Sequence, residues 1–174
     1  AQDLRKSFTI DDVANDDIIL AQEGQCNFLY SLIENRKDDE FRKGLFKSGV
    51  ADSILFILES RKLQQITESY IDLFLQMSVP CGDEVKQMIF VQKPYPTLLK
   101  LFGRIDPYII KLAALSIFNI LGAGINRTPA STPHPPFEVM QQLNEIDKLF
   151  MLFKKTDVDN YTIDTAAVCV GRLF

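Results

Sequence analysis

DPYIIKLAALSIFNILG, residues 106–122, is the stretch from which the fold follows. It opens with Asp106 and Pro107, a cap and a first-turn residue, and closes on Gly122, which supplies a helix C-terminus. Between those ends Ile109, Ile110, Leu112, Ala113, Leu115, Ile117, Phe118, Ile120 and Leu121 occupy nearly the whole circumference of a helix. Such a helix needs neighbours on several sides, so the stretch predicts the central buried helix of an all-helical domain.

Outward from it, 174 residues at 47% hydrophobic and 24% charged are enough for one domain with a sizeable core. Nineteen Lys and Arg against twenty-three Asp and Glu leave a net charge of -4, which offers no general attraction to nucleic acid or anionic lipid. The apolar run from Ile109 to Leu121 is interrupted by Lys111, Ser116 and Asn119 and is shorter than the roughly 20 residues of a spanning helix, so membrane insertion is not expected. No signal-peptide pattern opens the chain, and Cys26, Cys81 and Cys169 are too few and scattered for a disulfide framework. The expected compartment is the cytoplasm, with the nucleus also compatible. A chain that starts at Ala1 and stops at Phe174 within an apolar pattern reads as an excerpt of a longer one.

Helical spacing predicts a helix from Asp16 to about Asn35, with Asn15 as its cap and Gly24 as a weak point. A short helix carrying Phe41, Leu45 and Phe46, capped by Asp38 or Asp39, follows and ends at Gly49, then a second over Val50–Ser60 and a longer third over Leu63–Ser78. After the break at Pro80–Gly82 the order returns: a short helix (DEVKQMIFVQ), a second (YPTLLKLF), then the opening stretch. Ile54 and Leu98, Leu58 and Phe102, Ile66 and Ile110, and Phe74 and Phe118 are each 44 residues apart. A third set comprises FEVMQQLN, EIDKLFMLFKK and YTIDTAAVCVGRLF, with Ala166–Ala167 lying 53 residues after Ala113–Ala114 because AGINRTPASTPHPP intervenes. Recurrence at this period is the signature of a helical solenoid, here a partial repeat over 1–37, repeats over 38–79, 80–122 and 137–174, and a Pro-rich insert over 123–136.

FRKGLFKSGVADSILFILES resembles the armadillo pattern, and KLAALSIFNILG and TIDTAAVCVGRLF resemble its third helix; HEAT-type repeats are the related alternative. The resemblance implies a right-handed superhelix whose third helices line a concave surface. Some armadillo proteins clamp an extended peptide there with Trp and Asn. By register those Trp positions fall on Asp72, Ser116 and Cys169, and the Asn positions on Gln76, Ile120 and Leu173, with Gln76 the nearest match in kind. The expected site is therefore a protein-binding groove, acidic and polar at Glu68, Asp72 and Gln76 and more apolar through Ser116, Ile120, Cys169 and Leu173. It would take a partner helix or segment with one basic end and apolar anchors. The competing reading is that Glu68 and Asp72 form only a solvated face.

Other motifs are weaker. The insert contains Thr128 and Thr132 before prolines, sites for a proline-directed kinase, and a PxxP spacing at Pro133–Pro136. His134 is the only histidine, and no CxxC, HExxH, GxGxxG or GxxxxGK spacing occurs, so a non-catalytic chain without cofactor or metal is expected. Asp157, Asp159 and Asp164 fail the calcium-loop spacing and read as caps for the last helix. Basic clusters such as Arg42–Lys43 and Arg61–Lys62 sit near helix C-termini, where a dipole role accounts for them, and lack interleaved aromatics for nucleic acid. The expected function is an adaptor or scaffold that binds a protein or peptide partner. The alternative is a regulatory or targeting segment of a larger enzyme.

Overall fold

Acidic caps start the helices where the sequence places them. Asp38 accepts from the Phe41 amide at 2.9 Å, Asp106 from the Tyr108 amide at 2.9 Å, and Asp159 from the Thr162 amide at 2.8 Å. The structure, a computed structural model, describes residues 1–5, 12–122, 137–142 and 144–174. Among these the ordered elements are all helical: α1 (Asp12–Ile33), α2 (Asp39–Lys47), α3 (Val50–Ser60), α4 (Glu68–Ser78), α5 (Asp83–Val91), α6 (Tyr95–Lys100), α7 (Pro107–Leu121), α8 (Phe137–Gln142), α9 (Glu145–Leu152) and α10 (Asn160–Leu173). Short 3-10 turns occupy Asp3–Arg5, Leu63–Gln65 and Leu101–Gly103. Gly49 joins α2 to α3 at φ 78°, a left-handed conformation that glycine adopts without the strain a Cβ would bring.

The helices pack in rows. α4 lies between α1 and α7, and α7 packs in turn on α10; α3, α6 and α9 form a second row, and α5 packs on α2. α7 is the hub, touching α4, α5, α6 and α10, which explains its nearly continuous apolar circumference. Ile109, Ile110, Ala113, Ala114, Ile117, Ile120 and Leu121 are buried there. Beyond Pro107 at its start, only a narrow stripe of α7 reaches solvent, along Tyr108, Lys111, Leu115, Phe118, Asn119 and Gly122. No helix among the described residues is long and apolar enough to cross a membrane.

Two local expectations change. α1 begins at Asp12, so Asn15 lies inside it, 7% exposed, and the helix continues through Gly24. Leu63–Ser78 is not one helix: after the 3-10 turn, Ile66 and Thr67 are extended, and Thr67 is the N-cap from which α4 starts. Both residues are β-branched, which suits extended backbone, and Ile66 is fully buried, so packing holds the break.

The break resets the register. α3 and α6 keep the offset of 44, with Ile54, Leu98, Leu58 and Phe102 all buried. α4 and α7 correspond at 43 instead: Tyr70 and Ala113, Leu73 and Ser116, Phe74 and Ile117, and Met77 and Ile120 are buried pairs. Asp72 and Leu115, Leu75 and Phe118, and Gln76 and Asn119 are half-buried pairs at the same spacing. The chain from α3 into α4 is thus one residue longer than that from α6 into α7, and the irregular segment Leu63–Thr67 absorbs the extra residue.

Several basic residues serve neighbouring helices and not only their own. Arg42, 0% exposed, donates from Nε to Gln76 O at 3.2 Å and from Nη2 to Val79 O at 3.4 Å, satisfying carbonyls at the C-terminus of α4. Lys100 Nζ donates to Leu58 O, Glu59 O and Arg61 O at 3.0, 2.7 and 2.9 Å, closing α3. Arg172 Nη1 donates to Phe118 O at 2.8 Å and stacks its guanidinium 3.9 Å above the Phe118 ring, tying α10 to the end of α7. Gly122 makes room for that reach, since a Cβ there would stand 3.4 Å from Arg172 Nη1. Arg61 is also buried, bonded to Tyr70 Oη at 2.7 Å and to Gln22 Oε1. The dipole role expected from sequence for Arg42 is therefore exercised across a helix contact, and Lys100 and Arg172, for which no such role was expected, act in the same way.

Candidate functional site

The row α1, α4, α7 and α10 presents one continuous accessible face. Tyr30 of α1 donates to Glu34 at 3.1 Å; burial and Glu34 push its hydroxyl above its ordinary value, Asp72 adds to the rise, and a Gln76 hydrogen bond opposes it. Asp72 of α4 accepts from Tyr108 Oη of α7 at 3.4 Å. Partial burial raises the Asp72 carboxyl, with the Tyr108 bond pulling the other way and Glu68 adding to the rise. Lys111 of α7 crosses to α10, bonding Asp159 at 3.0 Å and lying 5.1 Å from the centre of the Tyr161 ring. Polar and aromatic side chains therefore bridge each groove between successive helices of the row.

The seven residues expected to line the groove divide in two. Glu68 is exposed, and Asp72 and Gln76 are half-buried, all on the open side of α4. Ser116, Ile120, Cys169 and Leu173 are buried at 0%, 1%, 0% and 0% exposure, which removes them from any surface the described chain offers. Ser116 Oγ bonds Leu112 O of its own helix at 2.8 Å. Cys169 lies close enough to Tyr95 of α6 to perturb its hydroxyl, and burial drives the thiol up to about 12. The physical reason is the one-residue reset: the counterparts of Asp72 and Gln76 are Leu115 and Asn119 on α7, and with the 53-residue offset Val168 and Arg172 on α10. Those four are half-buried or exposed.

Two tyrosines belong to the face and were not expected. Tyr108 and Tyr161 are 45% and 56% exposed, each two residues after the acidic cap of its helix. Their sequence signal is the matched pair Asp106-Pro107-Tyr108 and Asp159-Asn160-Tyr161, 53 residues apart like the alanine pairs.

At the N-terminus of α4 the face deepens into a cleft of about 350 Å³ lined by Glu23, Glu68, Asp106, Arg104, Ser69 and Thr67, among others. Three carboxylates face one guanidinium there, so the cleft favours a cationic group. Thr67 Oγ1 and Arg104 Nε, both buried in its lining, have no hydrogen-bond partner among the described residues. No group of three or more metal-ligating side chains occurs among the described residues. Asp159 caps α10 as expected, and three bonds, from the Thr162 hydroxyl, Lys111 and the Thr162 amide, hold its carboxyl down at about 2. Thr128, Thr132 and His134 lie outside the described residues. No family model matches the chain, and no curated protein matches it.

Proposed function

We infer that the chain is a non-catalytic protein-interaction module, a right-handed solenoid of armadillo-like repeats that holds a partner segment along the face of α4, α7 and α10. The observation that carries this reading is the matched open stripe: Glu68, Lys111 and Asp164, then Asp72, Leu115 and Val168, then Gln76, Asn119 and Arg172, step for step on three successive helices. A surface repeated in that way suits an extended ligand, which meets equivalent positions at regular intervals. The reset register also supports the armadillo resemblance more strongly than the sequence alone did, since Asn119 now falls on a position where that family carries Asn, beside Gln76.

The partner segment has a basic end, seated by Glu23, Glu68 and Asp106 at the cleft and by Asp72 beside it. Its apolar or aromatic anchors lie over Tyr108, Leu115, Tyr161 and Val168. Selection of peptides from a displayed random library on the intact chain tests this, with affinities then measured for Glu68→Arg combined with Asp72→Arg. Selected peptides carrying Lys or Arg at one end, weakened at least about tenfold by the double substitution, are the expected result. Unchanged affinity in a folded double variant would remove the acidic end from the account.

A further inference from the structure

The second row of helices carries a different cleft. It lies between the end of α6 and α9, encloses about 340 Å³, and shares no residue with the face described above. Its apolar lining is Leu99, Phe102 and Leu152, which are part of the core, and Met151, which is 58% exposed at the rim. Lys148 and Lys155 stand beside it together with Lys100. On α9 and the turn that continues it, Lys148, Met151, Leu152 and Lys155 follow spacings of three, four and seven residues, so two cations and two apolar side chains form a single stripe.

The charges are not equivalent. Lys100 spends its ammonium on three carbonyls at the end of α3. Lys148 has the Glu145 carboxyl as its electrostatic neighbour one turn back, without an ion pair to any described carboxylate, and Lys155 forms a long ion pair with Asp157 at 3.6 Å. A chain of net charge -4 therefore places one unpaired and one loosely paired lysine beside an open apolar hole. The volume is at the lower end of the roughly 300–1,000 Å³ range of ligand pockets, room for one or two large side chains.

We propose that this cleft is a second docking site, filled by a segment of a partner protein that inserts one large apolar side chain, leucine or phenylalanine, flanked by carboxylates. The apolar anchor packs on Phe102, Met151 and Leu152, and the carboxylates meet Lys148 and Lys155. Binding weakens as salt rises, because the two lysines are at the surface.

The test uses the intact, isotope-labelled chain and the peptide acetyl-Asp-Glu-Leu-Phe-Glu-Asp-amide, followed by amide chemical shifts. Binding with a Kd below about 1 mM, with shifts concentrated in residues 99–103 and 148–155, is expected. Lys148→Glu combined with Lys155→Glu weakens it at least about tenfold, and so does Met151→Asp, a substitution at an exposed position that leaves the core intact. A peptide with lysines for the acids, or with alanines for the Leu-Phe pair, binds at least about tenfold more weakly. Glu68→Arg with Asp72→Arg leaves this binding unchanged, which separates the two sites. The proposal is overturned by no binding at several times that concentration, by equal binding of the lysine peptide, by shifts mapping elsewhere, or by dodecanoate filling the cleft where the peptide does not.

Discussion

Replacing Arg42 by Met tests the most demanding contact in the fold. Methionine keeps much of the unbranched stem and removes the guanidinium, which has no exposure to solvent. Three carbonyls lose a donor: Gln76 O, Val79 O and Asp38 O. Asp38 O still accepts from the Arg42 backbone amide at 3.2 Å, so two are orphaned. At about 1–2 kcal/mol for each unsatisfied buried acceptor, the expected loss is about 2–4 kcal/mol. Relief from desolvating a buried cation keeps the loss from reaching the full worth of the bonds from a charged donor. In urea, with a slope of about 2 kcal/mol/M, the midpoint falls by about 1–2 M with the slope unchanged. Arg42→Lys, whose single ammonium reaches fewer carbonyls, falls between wild type and Arg42→Met. Amide exchange should quicken first around the end of α4, including the backbone that places Gln76 on the open face. A midpoint within about 0.3 M of wild type would show that water replaces the guanidinium without cost, and the capping argument would fail.

Asp159→Ala removes the cap of α10 and its bond to Lys111, and a destabilisation of about 1 kcal/mol is expected from denaturant unfolding. Because this carboxyl is held at about 2, below its ordinary 3.8, its contribution is full above 3.8 and disappears as pH falls through about 2; the variant should lose that part of the acid dependence. Burial raises the Cys26 and Cys169 thiols to about 12, and that of Cys81 to about 11. Ellman's reagent at pH 8 should therefore label none of the three quickly in the folded chain and all three in urea.

Much of the helix plan is legible in the sequence, and for identifiable reasons. Acidic caps at Asp38, Asp106 and Asp159, the glycine at 49 and the apolar spacing each act within a few residues, so they need no knowledge of the rest of the chain. The site was harder to read. A helix that is apolar nearly all round, as α7 is, does not reveal which stripe its neighbours leave open. An ungapped offset of 44 therefore pointed to Ser116 and Ile120, where the open positions are Leu115 and Asn119. Thr67, followed by an acidic first-turn residue, was the available hint that α4 starts late. Arg42 and Arg172 show the other limit: their sequence neighbours suggest surface charge, and only the packing of α2 on the end of α4, or of α10 on α7, gives each its acceptors.

Single cysteines placed along α7 and α10 test the register of the open face. In a Cys81→Ser background, Leu115→Cys, Asn119→Cys and Val168→Cys should label rapidly with a thiol reagent under native conditions. Ser116→Cys and Ile120→Cys should stay protected until the chain is unfolded, as the native Cys169 does. The reverse order, with positions 116 and 120 reacting while 115 and 119 are protected, would contradict the face on which the binding account rests.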